Sequence, residues 1–201
     1  HLVIRRQRQM CIRDRLIVAN THRTLLCFSN LGKVYWLKVY EIPQASRTAK
    51  GRPLVNLIDL DESERVTSLL DIESFEGEAY VFMATQNGIV KKTPLSEFKK
   101  PRKNGKRAIK LDDNDELVGT LLTDGNADLM VVSNAGKAVF FNEVDARSMG
   151  RDTRGVKGIT LDGDQKVISL LKPSEESEIL TVSENGYGKR SKVNDFRKTK
   201  R

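Results

Sequence analysis

At 201 residues, 38% hydrophobic and 31% charged, the chain has room for one large domain or two small ones with a buried core, and is polar enough for many short strands wetted on one face. No apolar run approaches the roughly 20 residues of a membrane helix, and Cys11 and Cys27 have neither metal-ligand spacing nor the density of a disulfide scaffold, which fits a reducing, cytoplasmic setting. The formal charge of +8 points to an anionic partner, but the location of that charge says more than its sum.

Residues 1–15, HLVIRRQRQMCIRDR, fit neither strand nor helix grammar. They read as a disordered basic arm or a foreign leader, and they lack the apolar stretch of a signal peptide. Together with Arg23 they hold six arginines against Asp14, so residues 1–23 carry +5 and the rest of the chain only +3. Leu16–Ala19 and Leu25–Phe28 then read as two strands of a hairpin around 20–23. Gly32 opens a second hairpin, and Lys33–Val39 alternates with β-branched and aromatic residues that favour a pleated strand. Pro43 stops that strand. A basic loop around Gly51 follows, and Leu54–Leu57 returns to strand character.

This grammar repeats. A turn glycine before a strand recurs at Gly32, Gly88, Gly136 and Gly186, at intervals of 56, 48 and 50 residues. A basic, glycine-containing loop stands six residues before a leucine at Gly51, Gly105 and Gly155. A strand of similar ending follows at Val66–Leu70, Val118–Leu122 and Val167–Leu171, each preceded by an acidic turn: Asp59–Glu64, Asp112–Glu116, and Asp162 with Asp164. An apolar strand precedes the next glycine at Ala79–Ala84, Asp128–Val132 and Glu178–Val182. Units of about 50 residues with four strands have the period and content of propeller blades, which bury their faces only against neighbours. The expected division is a leader, 1–15, and one domain, 16–201, with repeats near 16–78, 79–127, 128–177 and a shortened 178–201.

Catalytic patterns are missing from the sequence. The two histidines, His1 and His22, do not recur. Asp112–Glu116 lacks the spacing of a calcium loop and reads as an acidic hairpin turn that keeps a strand edge soluble. The loops at Asn104–Lys106 and Arg154–Gly158 lack the P-loop pattern.

Charge is segregated instead. From 89 to 110 nine cations face only Glu97, a local +8, whereas from 59 to 78 eight acids face only Arg65, a local −7. The recurring cations are Arg47, Lys50 and Arg52 in the first unit; Arg102, Lys103, Lys106 and Arg107 in the second; and Arg147, Arg151, Arg154 and Lys157 in the third. Equivalent loops of a disc fall at equivalent radius, so these residues are expected to line one edge. Lys33, Lys91, Lys92, Lys189 and Arg190, which follow the turn glycines, are counted with the same rim. A row of this kind suits a polyanion, since phosphate contacts release counterions and ignore base sequence. Bending a duplex round the disc costs on the order of 1–6 kcal/mol per 20–30 bp, so many contacts must cooperate. Tyr35, Trp36, Phe82, Phe140 and Phe141 occupy strand positions suited to packing, which argues against base stacking on single strands.

The stretches ANTHRTLLCFSNLGKVYWLKVYEIPQASRTAKGRPLVNL, VFMATQNGIVKKTPLSEF, MGRDTRGVKGI and TVSENGYGKRSKV resemble the C-terminal DNA-wrapping domain of the DNA gyrase A subunit, in order over about residues 16–201. The resemblance implies an all-β fold, a β-pinwheel: a propeller-like disc of four-stranded blades that exchange strands, normally six, of which about four are expected here. It implies double-stranded DNA as partner, wrapped with a positive, right-handed sense. It further implies the A-subunit cleavage core, together with the gyrase B subunit, in an A2B2 heterotetramer, in the cytoplasm with the nucleoid and without a membrane. ATP and Mg2+ are expected only elsewhere in that assembly, none being bound by this chain, and no DNA cleavage is expected of it. The family's Q-R-R-G-G-K-G box is not matched by Arg5-Arg6-Gln7-Arg8, and Arg23 stands where the family usually has an acid. The corresponding domain of the topoisomerase IV A subunit, which wraps DNA poorly, is the near alternative. A propeller-like protein-interaction scaffold is the more distant one, disfavoured because protein interfaces deplete lysine.

Overall fold

The computed structural model describes residues 17–46 and 48–200, so the leader, Arg47 and Arg201 lie outside the described residues. The described strands are β1 (Thr24–Ser29), β2 (Lys33–Lys38), β3 (Val66–Ile72), β4 (Tyr80–Thr85), β5 (Ile89–Pro94), β6 (Lys106–Arg107), β7 (Leu117–Thr123), β8 (Asp128–Ser133), β9 (Ala138–Asn142), β10 (Val156–Lys157), β11 (Val167–Leu171), β12 (Glu178–Val182) and β13 (Gly188–Lys192). They form antiparallel sheets in the orders β3-β1-β2-β6, β10-β5-β4-β7, β11-β8-β9 and β12-β13.

The sheet orders put the fourth strand of a blade in the next repeat. β6 leaves the second unit to pair with β2, through Lys33 opposite Arg107 and Val34 opposite Lys106. β10 leaves the third unit to pair with β5, through Ile89 opposite Lys157 and Val90 opposite Val156. The basic loops therefore end in strands that are built into the preceding blade. Neighbouring blades are held together by main-chain ladders as well as by packing.

The core lies between blades. On β1, Leu26 and Phe28 face the second blade and join Val81 and Met83 of β4, whereas Leu25 and Cys27 face the other way. On β4 the alternate residues Phe82 and Ala84 turn to the third unit and meet Leu129, Val131 and Phe141. Successive side chains of a strand point to opposite faces, so a strand with neighbours on both sides is apolar throughout. Each such Leu, Val or Phe contributes about 1.5–3 kcal/mol when fully buried. Tyr35, Phe82 and Phe141 are buried, and the half-buried Trp36 donates its indole N–H to the Phe98 carbonyl at 2.9 Å. These aromatics pack in the protein, as their strand positions suggest.

Three local expectations are corrected. Of the expected strand Leu16–Ala19, Leu16 lies outside the described residues and 17–19 form no strand; β1 pairs with β2 and β3 instead. Leu54–Asn56 is a 3-10 turn, not a strand; Leu54 and Leu57 pack with Ile58 over the outer face of β1 and β2, a job that calls for apolar residues without a ladder. The register of the third recurring strand is also one residue off in the second unit. Phe28 pairs with Ser68, Ala84 with Gly119 and Val132 with Ser169, so Leu117, not Val118, occupies the place of Val66 and Val167.

Candidate nucleic-acid interface

The second and third basic loops each lead into a short strand of the preceding blade, β6 and β10, whereas the first leads into the 3-10 turn Leu54–Asn56. Lys50 and Arg52 are exposed in the first loop. Arg102, Lys103 and Arg107 are exposed in the second, and Arg147, Arg154 and Lys157 in the third. The second and third loops touch directly. Lys110 donates its main-chain N–H to the Thr153 carbonyl at 3.1 Å, and the Arg151 guanidinium donates to the Arg107 carbonyl at 3.3 Å. Segment 55–59, just beyond the first loop, faces Pro101, Arg102 and Lys103 across a cavity also lined by Tyr35 and Trp36. The second loop thus has the third loop in contact with it on one side and the segment that follows the first loop across this cavity on the other.

Strand exchange gives this edge its rigidity. Gly105 has φ +70°, and a Cβ there would lie 2.7 Å from the Tyr35 ring; only glycine lets the second loop lie flat on the first blade. Lys106 then runs over the Trp36 ring, 5.6 Å from its centroid, and donates to the Lys100 carbonyl. Its ammonium is pushed below the ordinary lysine range by burial first, then by Arg151, Arg102 and Lys100. Arg151 is half-buried, 3.6 Å from Glu97, and Arg154 lies 3.1 Å from Asp112. These two have local protein partners, whereas pairs at such exposure as that of Arg154 contribute little and open readily to an incoming phosphate.

Several cations predicted for the rim are elsewhere. Lys91 and Lys92 are buried, at 0% and 7% exposure, because β5 is covered by the strand and loops of the third unit. Lys91 donates to the carbonyls of Ala108, Arg151 and Thr153, and Lys92 to that of Glu143 at 3.1 Å. Both ammonium groups are thus engaged by main-chain carbonyls inside the protein. Lys33 is half-buried and bound to Asp61 at 2.5 Å, with Glu64 at 3.7 Å; the Asp61 hydrogen bond leads the influences that raise its pKa. Lys189 and Arg190 lie on β13, exposed, with Arg190 2.9 Å from Glu178.

The acidic turns do more than keep an edge soluble. Glu64 is buried and accepts from the Ser29 hydroxyl at 2.8 Å, the Asp61 N–H at 3.0 Å and the Tyr35 hydroxyl. Asp115, its counterpart in the second unit, accepts from the Asn87 N–H at 2.9 Å. Glu116 takes Arg65 at 2.5 Å, joining the second blade to the first. Glu143 is also buried and accepts from the Thr123 hydroxyl and the N–H groups of Gly125 and Ala127. These acids brace hairpins and blade joints, whereas the exposed loop cations Lys50, Arg52, Arg102, Lys103, Arg107, Arg147, Arg154 and Lys157 face outward. The recurrence of an acid just before β3 and β7 was the available signal for Glu64 and Asp115; nothing in the sequence marks Glu143.

Four-part repetition, sheets set side by side around interlocking cores and strands passed from one repeat to the one before define a propeller-type disc of the β-pinwheel kind. The family model described as DNA gyrase C-terminal domain, beta-propeller, matches residues 23–73, 79–124, 127–174 and 177–201. The chain belongs to that family. It is 53% identical over 183 residues to the DNA gyrase A subunit of Salmonella typhimurium, a match covering 91% of this chain and 21% of that protein. The chain therefore spans about a fifth of that relative's length. Among solved structures, the C-terminal domain of DNA topoisomerase IV superposes with a TM-score of 0.86 at 30% identity, covering 99% of this chain and 64% of that one. The DNA gyrase A C-terminal domain superposes at 0.76, also at 30% identity, covering 91% and 59%.

Proposed function

We propose that this chain binds and wraps double-stranded DNA along its basic edge, as part of a DNA gyrase A subunit. The observation that supports the reading is the exposure of Lys50, Arg52, Arg102, Lys103, Arg107, Arg147, Arg154 and Lys157 on the three recurring basic loops. A compact ligand has no use for charge spread over several blades, whereas a duplex presents phosphates at a regular spacing. The chain's part is to hold DNA; cleavage, ATP and Mg2+ belong to other parts of an A2B2 assembly with the gyrase B subunit, working in the cytoplasm on the nucleoid. Among the described residues no helix is long and apolar enough to cross a membrane. Wrapping of one sense by this edge would present a crossing segment to the cleavage core and support ATP-dependent negative supercoiling.

The topoisomerase IV A subunit is the second reading, favoured by the higher superposition score. The 53% identity to a gyrase A subunit favours the first. Binding to a long duplex across a salt series tests what both share. With about 6–10 phosphate contacts, affinity should fall roughly 10³–10⁵-fold between 50 and 200 mM salt. Reversing Arg102, Lys103 and Arg107 together to Glu should lower the salt slope by about three. A flat salt response would leave a protein-interaction scaffold in its place.

A further inference from the structure

Lys91 is a fully buried cation with no carboxylate against its ammonium. It sits on β5 with its side chain at 0% exposure. Its three N–H groups meet three main-chain carbonyls: Ala108 at 2.9 Å, Thr153 at 3.1 Å, and Arg151. Ala108 follows the second basic loop, directly after the exchanged strand β6. Arg151 and Thr153 belong to the third basic loop, ahead of β10. One charge thus ties the backbones of two neighbouring rim loops to the middle of a third element. An ammonium has three donors and no acceptor, so all its hydrogen-bonding capacity is used.

We propose that Lys91 is a positioning residue for DNA, whose ammonium fixes the spacing between the second and third basic loops and thereby the distance between the phosphates met by Arg102, Lys103 and Arg107 and those met by Arg147 and Arg154. This rests on the duplex-binding reading above. The site is also proton-sensitive. Burial lowers the Lys91 pKa from 10.5 to about 8, opposed by the charge of Asp152, assisted by Arg151 and opposed again by Glu97. A neutral amine keeps two donors for three carbonyls and turns a lone pair to the third, so the clamp between the two loops loosens. Because the folded value lies below the unfolded one, this group's own linkage favours the folded chain as pH rises from about 8 towards 10.5. Loss of DNA affinity in that window is therefore not unfolding driven by Lys91.

The test is duplex binding by the full chain at fixed salt from about pH 7 to 9.5, the interval below ordinary lysine titration. The expected result is a fall in affinity of roughly ten-fold with a midpoint near 8. In Lys91→Met the step should vanish and the salt slope at pH 7 should be lower by about two, for the two cations of a displaced third loop. Lys106→Met, which removes the other depressed lysine of this edge, should keep the step. A pH-independent affinity, or a step abolished by Lys106→Met and kept by Lys91→Met, overturns the positioning role while leaving duplex binding in place. No binding at pH 7 overturns the duplex reading itself. Should Lys91→Met fail to fold, the wild-type amide resonances of 106–110 and 150–154 decide: they should shift together with a midpoint near 8, and their invariance overturns the proposal.

Discussion

Equivalent positions of the second and fourth repeats have different surroundings among the described residues. Counted from the turn glycines, Lys91-Lys92 of β5 and Lys189-Arg190 of β13 are equivalent. In the second repeat both cations are buried and hydrogen-bonded to carbonyls of the third unit, Lys91 also to Ala108 of its own. In the fourth both are exposed, and Leu180, Val182 and Tyr187 beside them are exposed too. The difference is the cover. β5 has β10 alongside it and the loop 147–155 above it, while β13 pairs only with β12 among the described residues. The surroundings of a lysine at this position thus depend on what is laid over its strand, and its own local sequence does not decide.

The turn glycines should break this symmetry most strongly. Gly88 has φ +83°, and a Cβ would lie 2.8 Å from the Ile159 carbonyl oxygen of the incoming segment; Gly186 has φ +81° and open space. Gly88→Ala combines left-handed strain with a backbone clash and should cost on the order of 2–5 kcal/mol. Gly186→Ala carries the strain alone, about 1–2 kcal/mol. Chemical denaturation of the two variants measures the gap, and equal losses would mean that the exchanged segment does not press on Gly88.

A smaller effect is expected from the strand cations. Lys92→Met removes one of the two donors to the buried Glu143 carbonyl, which keeps the Ala146 N–H at 3.0 Å, and should destabilise by about 0.5–1.5 kcal/mol. Arg190→Met removes only a surface pair with Glu178, 72% and 38% exposed, and should leave the thermal midpoint unchanged. If both variants melt like the parent, the burial of Lys92 is not energetically coupled to the blade joint.

Much of this architecture is legible from residues. The turn glycines, the acidic turns and the β-branched runs place most strands, because period-2 patterning and positive-φ turns are local properties. What escaped was non-local. Lys106-Arg107 and Val156-Lys157 give no hint that they pair with another blade, since a two-residue strand has no periodicity. Leu54–Leu57 is apolar because it covers a sheet face, and composition alone cannot separate that from pairing. The candidate site divides along the same line: the recurrence of the loop cations is visible in the sequence, whereas the burial of Lys91 and Lys92 depends on a neighbour laid over their strand. Glu64, two residues before a strand in an acidic turn, likewise disclosed its burial only through Ser29 and Tyr35.

If the row of loops works as a wrapping edge, it bends DNA in one sense, beyond merely holding it. Nicked circular duplex sealed by ligase in the presence of increasing amounts of the chain tests this directly. A distribution of topoisomers displaced progressively in the positive direction is the predicted result. Saturating binding that leaves the distribution where ligase alone puts it would contradict the account, reducing the row of loops to a straight cationic contact.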